Sequence, residues 1–192
     1  MINSARLRSC LFATLLLAGC SHLLPTTNQT TQSPWNSYEE ARIAFDSIQP
    51  GATSIEELWG MGFDPLKRPN IRVLNHLDVM RLFVPNDSIH LADLHPDIQT
   101  CLLAKTDCQG YMVTLGNTYR ERYGNAMLDV LNFRRKTRTS GWQFQGLIVL
   151  KKSQVIYKLV SGQPNILEFE DKKNPLGPLQ DISVPTDFSL HN

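Results

Sequence analysis

The sequence predicts an α+β fold: two N-terminal helices packed on a three- to four-stranded antiparallel sheet, with a partly helical insert between. Three observations carry this expectation. Apolar residues at helical spacing follow two capping motifs between Ser37 and Trp59. The last third of the chain reads as consecutive strands separated by turn residues. A composition of 42% apolar and 19% charged residues over 192 positions is enough for a packed core and excludes global disorder.

The chain opens on an address signal. Arg6 and Arg8 precede the short apolar run Leu11–Ala18, too short to span a bilayer as a mature helix. The run ends in Leu17-Ala18-Gly19-Cys20, which resembles a bacterial lipobox. The resemblance implies cleavage after Gly19, lipidation of Cys20 and residues 1–19 as signal peptide. Ser21 follows, where an Asp would mark inner-membrane retention, so the expected site is the periplasmic face of the outer membrane. Losing residues 1–19 removes two arginines and no acid, which shifts the net charge from +1 to −1. Neither value suits a nucleic-acid binder that relies on bulk electrostatics. Several acyl chains on one cysteine hold where a single chain would be marginal.

Residues 20–36 read as lipidated cysteine and flexible tether. From Ser21 to Ser37 the chain is uncharged and rich in Thr, Gln, Ser and Pro. A coil of that length spans roughly 20–25 Å. Residues 37–173 read as one α+β domain. Ser37-Tyr38-Glu39-Glu40 is a capping box, and Tyr38, Ala41, Ala44, Phe45 and Ile48 follow on one helical face. Pro50-Gly51 ends that helix. Thr53-Ser54-Ile55-Glu56 reads as a second capping box, opening a short helix that Gly60 and Gly62 stop.

The insert is less regular. Asn75 is placed to cap a helix ending near Phe83, and Pro96 suits the first turn of a helix from Asp97 to about Ala104. Behind it, Met127–Arg138, Trp142–Lys151 and Gln154–Ser161 read as three strands of a meander. Ser140-Gly141 and Lys152-Ser153 stand at the two turns. In that register Phe133, Ile148 and Tyr157 share the core face, with Leu131, Leu150, Val155 and Leu159. Ile166–Phe169 would add an edge strand, and the Pro-rich residues 174–192 a strap or tail.

With these elements in place, Ile48-Gln49-Pro50-Gly51-Ala52-Thr53, Glu57-Leu58 and Gly60–Pro65 resemble the signature of SmpA/OmlA-type outer-membrane lipoproteins. That resemblance implies a small two-helix, three-strand module. The best-known member is a subunit of the β-barrel assembly machine, which implies a protein partner in the envelope. This chain carries roughly 45 further residues between the second helix and the sheet.

Candidate chemistry is sparse. Cys101 and Cys108 remain after maturation and are expected to form a disulfide in an oxidising compartment, worth roughly 2–3 kcal/mol. His90, Asp93, His95 and Asp97 offer imidazole and carboxylate groups close to Cys101, but at no known metal-site spacing. They read more simply as a helix start. Ser88 with His90 and Asp93 gives a triad in name only. No catalytic, metal or cofactor site is assigned.

Two surfaces stand out instead. Arg134, Lys136 and Arg138 share the non-core face of the first strand, with Arg120 and Arg122 as neighbours. They suit an acidic envelope molecule, a lipid or glycolipid, if not merely a solvated face. Leu147, Val149 and Ile156, with Val160, lie on the same second face and need cover, either from the insert and tail or from a partner. Trp59, Phe63 and Trp142 are either core residues or binding anchors. The function expected is that of a non-enzymatic scaffold or assembly factor for an envelope protein complex. The alternative is a binding module for an acidic envelope molecule.

Overall fold

The structure, a computed structural model, describes residues 24–181. The signal segment, Cys20 and the last residues of the tail lie outside the described residues. In chain order the elements are β1 (Thr26–Thr30), α1 (Tyr38–Asp46), α2 (Ile55–Gly60), β2 (Ile71–Asn75), α3 (His76–Phe83), α4 (Pro96–Leu103), β3 (Cys108–Tyr123), α5 (Ala126–Val130), β4 (Arg134–Lys151) and β5 (Gln154–Lys173). The fold is α+β. Its antiparallel sheet has five strands among the described residues, ordered β1-β3-β4-β5 with β2 also paired to β3. The helices are spread along the chain and not confined to its N-terminal part.

The chain divides into two compact units. The larger holds Asn28–Tyr119 and Ser140–Leu167. The smaller holds the described residues up to Thr27, Arg120–Thr139 and those from Glu168 onward.

In the larger unit the sheet is covered on both faces. Phe144, Ile148, Leu150 and Val155 form one buried cluster with Ala41, Phe45 and Ile48 from α1 and its C-terminal turn, Leu58 of α2, and Phe63. Leu147 and Val149, at the alternate positions of β4, form a second cluster with Leu74, Val79 of α3 and Ile98 and Cys101 of α4. The period of two in β4 thus serves two layers of helix.

Local chemistry explains the helix starts. Ser37 Oγ accepts from the Glu40 N–H at 3.2 Å, and the Glu40 carboxylate accepts from the Asn36 N–H at 2.8 Å. The second capping box sits one residue later than expected. Ser54, not Thr53, caps α2: its hydroxyl accepts from the Glu57 N–H, and the Glu57 carboxylate accepts from the Ser54 N–H. The bonds to Ser54 hold the Glu57 carboxyl below its ordinary range. Thr53 is diverted to the preceding turn, where its hydroxyl accepts from the Gln49 N–H at 2.8 Å. Asn75 caps α3 through the N–H groups of Leu77 and Asp78, and Pro96 occupies the first turn of α4. Both agree with the sequence reading.

Four expectations are corrected. There is no hairpin at Ser140-Gly141, because β4 runs unbroken from Arg134 to Lys151. Gly141 is extended in mirror-image sense (φ 144°), and a Cβ there would overlap Asn117 O, so it marks a close strand approach and not a turn. Met127–Val130 lies in α5 and not in a strand. Asn125 caps that helix by accepting from the Leu128 N–H, a local bond that outcompetes strand pairing. The segment assigned to a tether contains β1, whose β-branched threonines suit a strand; Thr31 N–H donates to Gly116 O at 3.0 Å. Trp35 stacks 4.7 Å from Phe63. Finally, Tyr157 does not share the Ile148 face. Ile156 and Tyr157 both contact the α3–α4 cluster, so the alternation slips by one residue after Val155. The Lys152-Ser153 turn is present, with Lys152 in the left-handed region.

Candidate functional site

Leu147 and Val149 are buried beneath α3 and α4, and Ile156 is half-buried in the same cluster. The insert therefore covers this part of the second face, burying Leu147 and Val149 and half-burying Ile156. The physical reason is the amphipathic insert itself: Val79, Ile98 and Cys101 turn fully buried side chains onto that face. The Cys101–Cys108 disulfide ties the end of α4 to the start of β3, with Cα atoms 4.9 Å apart.

Arg134, Lys136 and Arg138 lie in the smaller unit and share a face, as their spacing requires. Arg134 makes a bidentate pair with Asp171 of β5, with Nε–Oδ1 at 2.8 Å and Nη2–Oδ2 at 2.6 Å. The guanidinium holds the Asp171 carboxyl below its ordinary range, and the carboxylate holds Arg134 charged. Arg138 lies 3.5 Å from Glu121 of β3, and the Lys136 ammonium stands 5.9 Å over the Tyr123 ring. Tyr123 meets Phe169 edge-on at 6.5 Å. This is a ladder of cross-strand pairs. Two of the three cations are already engaged by carboxylates, which weakens the acidic-ligand alternative.

On other strand positions of this unit, Asp129 of α5 is buried between two arginines. Arg122 Nη1 lies at 3.0 Å and Arg135 Nε at 3.8 Å from Asp129 Oδ1. Asn132 follows α5 in the left-handed region, and its side-chain Oδ1 accepts from Asn174 Nδ2 at 3.1 Å. Asn174 N–H also donates to Phe133 O, so the first part of the C-terminal segment is strapped down. The α5 side chains Met127 and Val130, by contrast, are 71% and 75% exposed.

The histidine cluster serves helix starts. His90 N–H donates to Asp93 Oδ2 at 2.9 Å at a 3₁₀ turn, and His95 Nδ1 accepts from the Asp97 N–H at the mouth of α4. The His95 ring also lies 5.1 Å from Tyr157. Among the described residues no three His, Cys, Asp or Glu side chains are grouped to hold a metal. Phe63 is fully buried and Trp142 half-buried in the first core cluster, while Trp59 is half-exposed.

Sequence reasoning missed the open edge of β5. The strand ends the sheet order, and among the described residues only Ser153–Val155 have a backbone partner on the outer side, through Gly51, Thr53 and Ile55. From Ile156 to Leu167, no described strand of the larger unit pairs with that side. Pro164 was the available signal. Proline donates no ladder hydrogen bond, so in a strand it belongs at an edge. Lys158, which could guard such an edge, reaches inward instead and donates to the Phe45 and Asp46 carbonyls at the end of α1. Partial burial lowers its pKa. A groove of about 170 Å³, lined by Leu82, Phe83, Met112, Leu147 and Leu159 among others, reaches the same stretch of β5. Comparison with protein-family models, curated proteins and solved structures returns no match.

Proposed function

We propose that this chain is an outer-membrane-anchored periplasmic lipoprotein acting as a non-enzymatic scaffold or assembly factor for an envelope protein complex, its partner adding a strand to the free edge of β5. The edge of β5 between Ile156 and Leu167, unpaired among the described residues, carries the reading. Unpaired N–H and C=O groups in a row bind extended peptide through main-chain hydrogen bonds, and a neighbouring apolar groove selects side chains. The lipobox at Leu17–Cys20 supports the anchor, and the resemblance of Ile48–Pro65 to SmpA/OmlA-type lipoproteins supports an envelope partner.

The test is photocrosslinking in intact cells with p-benzoylphenylalanine at Leu159 or Leu167, which are 50% and 54% exposed. One discrete adduct with a second protein from both positions is expected, whereas the same group at buried Leu147 should link only within the chain. Purely internal links at all three positions would refute strand addition.

A further inference from the structure

Resting on the lipid anchor proposed above, we infer that the apolar ridge of α5 and the adjoining C-terminal turn lies in the surface of the bilayer that holds Cys20. The ridge is an inversion of ordinary packing. Met127, Leu128, Val130, Leu131 and Phe133 fall within seven consecutive residues, and each is 40% exposed or more. Gly177 seats against the Phe133 ring, where a Cβ would come within 2.8 Å of it, so the turn bearing exposed Leu176 and Leu179 adjoins the same ridge. A contiguous apolar surface of this kind on a small unit marks an interaction face.

The place where the chain leaves the described residues selects lipid as the occupant. Leu24 is buried, and Pro25 O accepts from the Arg122 N–H at 3.3 Å. The Arg122 guanidinium in turn holds Asp129 of α5 at 3.0 Å. The N-terminal segment therefore enters at the strand that carries α5. Cys20 precedes Leu24 by four residues, a reach of at most about 14 Å. An acylated Cys20 so close would leave the smaller unit no room to stand off from the headgroups. Asp129, the acid inside the ridge helix, is buried against arginines and does not face out.

The full-length lipidated protein is reconstituted into vesicles of phosphatidylethanolamine and phosphatidylglycerol (3:1), doped with a phospholipid bearing a diazirine in its acyl chain. Irradiation and peptide mass mapping should place lipid adducts on Met127, Val130 or Leu131. The variant Met127→Ser/Val130→Ser, whose changes are exposed, should melt like the parent yet lose those adducts about tenfold. Adducts confined to residues flanking Cys20 would overturn the inference and leave the anchor standing. The intact mass of the mature N-terminus reads the anchor separately. An unacylated Cys20 would refute the anchor, and with it the placement of the ridge at the bilayer that holds Cys20. Benzoylphenylalanine at Val130, introduced in cells, covers the rival occupants. A link to residues 182–192, to a second copy or to another protein would overturn the inference.

Discussion

Alanine at Gly146 should destabilise the larger unit, and the same change should become harmless once Phe45 is shortened. Gly146 lies on β4 between Phe144 and Ile148, and a Cβ there would sit 2.6 Å from Phe45 Cε2, 3.0 Å from Cδ2 and 3.2 Å from Phe144 Cε1. Carbon contacts settle at about 3.5–4.0 Å. The Phe45 ring has nowhere to retreat. It is fully buried, edge-on to Phe63 at 6.1 Å and to Phe144 at 5.6 Å, with the Lys158 ammonium 5.7 Å from its centroid. Overpacking of this kind costs about 1–3 kcal/mol. Phe45→Ala alone should cost about 3–5 kcal/mol by opening a cavity. In that background the Cβ keeps only the 3.2 Å approach to Phe144 Cε1, which a shift of a few tenths of an ångström relieves, and Gly146→Ala gains the strand preference of alanine over glycine, about 0.5–1 kcal/mol. Its cost therefore largely disappears. Urea unfolding followed by circular dichroism, run as a double-mutant cycle, should return a coupling of about 2–3 kcal/mol. Additivity within about 0.5 kcal/mol would refute the claim that this glycine exists to admit the ring.

Reduction of the Cys101–Cys108 bond, or Cys101→Ser/Cys108→Ser, should lower unfolding stability by roughly 2–3 kcal/mol; equal urea midpoints with and without reductant would deny the bond a structural role. Asn75→Ala removes the acceptor for two N–H groups of α3 and should cost about 1 kcal/mol, read by the same unfolding assay; no change would mean the cap is redundant with packing. The Arg134–Asp171 pair contributes above the unfolded carboxylate pKa of about 3.9 and fades as pH falls through it toward the depressed folded value. Asp171→Asn should therefore flatten that part of the acid limb of the stability–pH curve, most visibly at low salt; an unchanged acid limb would assign the effect to other carboxylates.

Much of the local structure was legible in the sequence because its causes are local. The cap at Asn75, Pro96 at the start of α4, the Lys152-Ser153 turn and the Cys101–Cys108 pairing follow from side chains that bond, constrain or crosslink within a few positions. The shared face of Arg134, Lys136 and Arg138 follows from the period of two alone. Their partners did not: Glu121 and Asp171 lie on other strands, and nothing in the spacing names them.

What tertiary structure decided was everything set by distant contact. Ser140-Gly141 reads as a turn in isolation, yet Gly141 is held extended because Asn117 O occupies the space a side chain would need. Leu147 and Val149 read as apolar residues on a face meant for water, and only the docking of α3 and α4 made that face a second core. By itself the sequence determined the composition for an α+β fold, the cysteine pair and the lipobox-like segment, since each is a property of neighbouring residues. Which strand ends the sheet, which face stays open and which apolar side chains remain outside depend on pairings between residues far apart in the chain. Those are chosen by the free energy of the whole packed arrangement and not by any one segment.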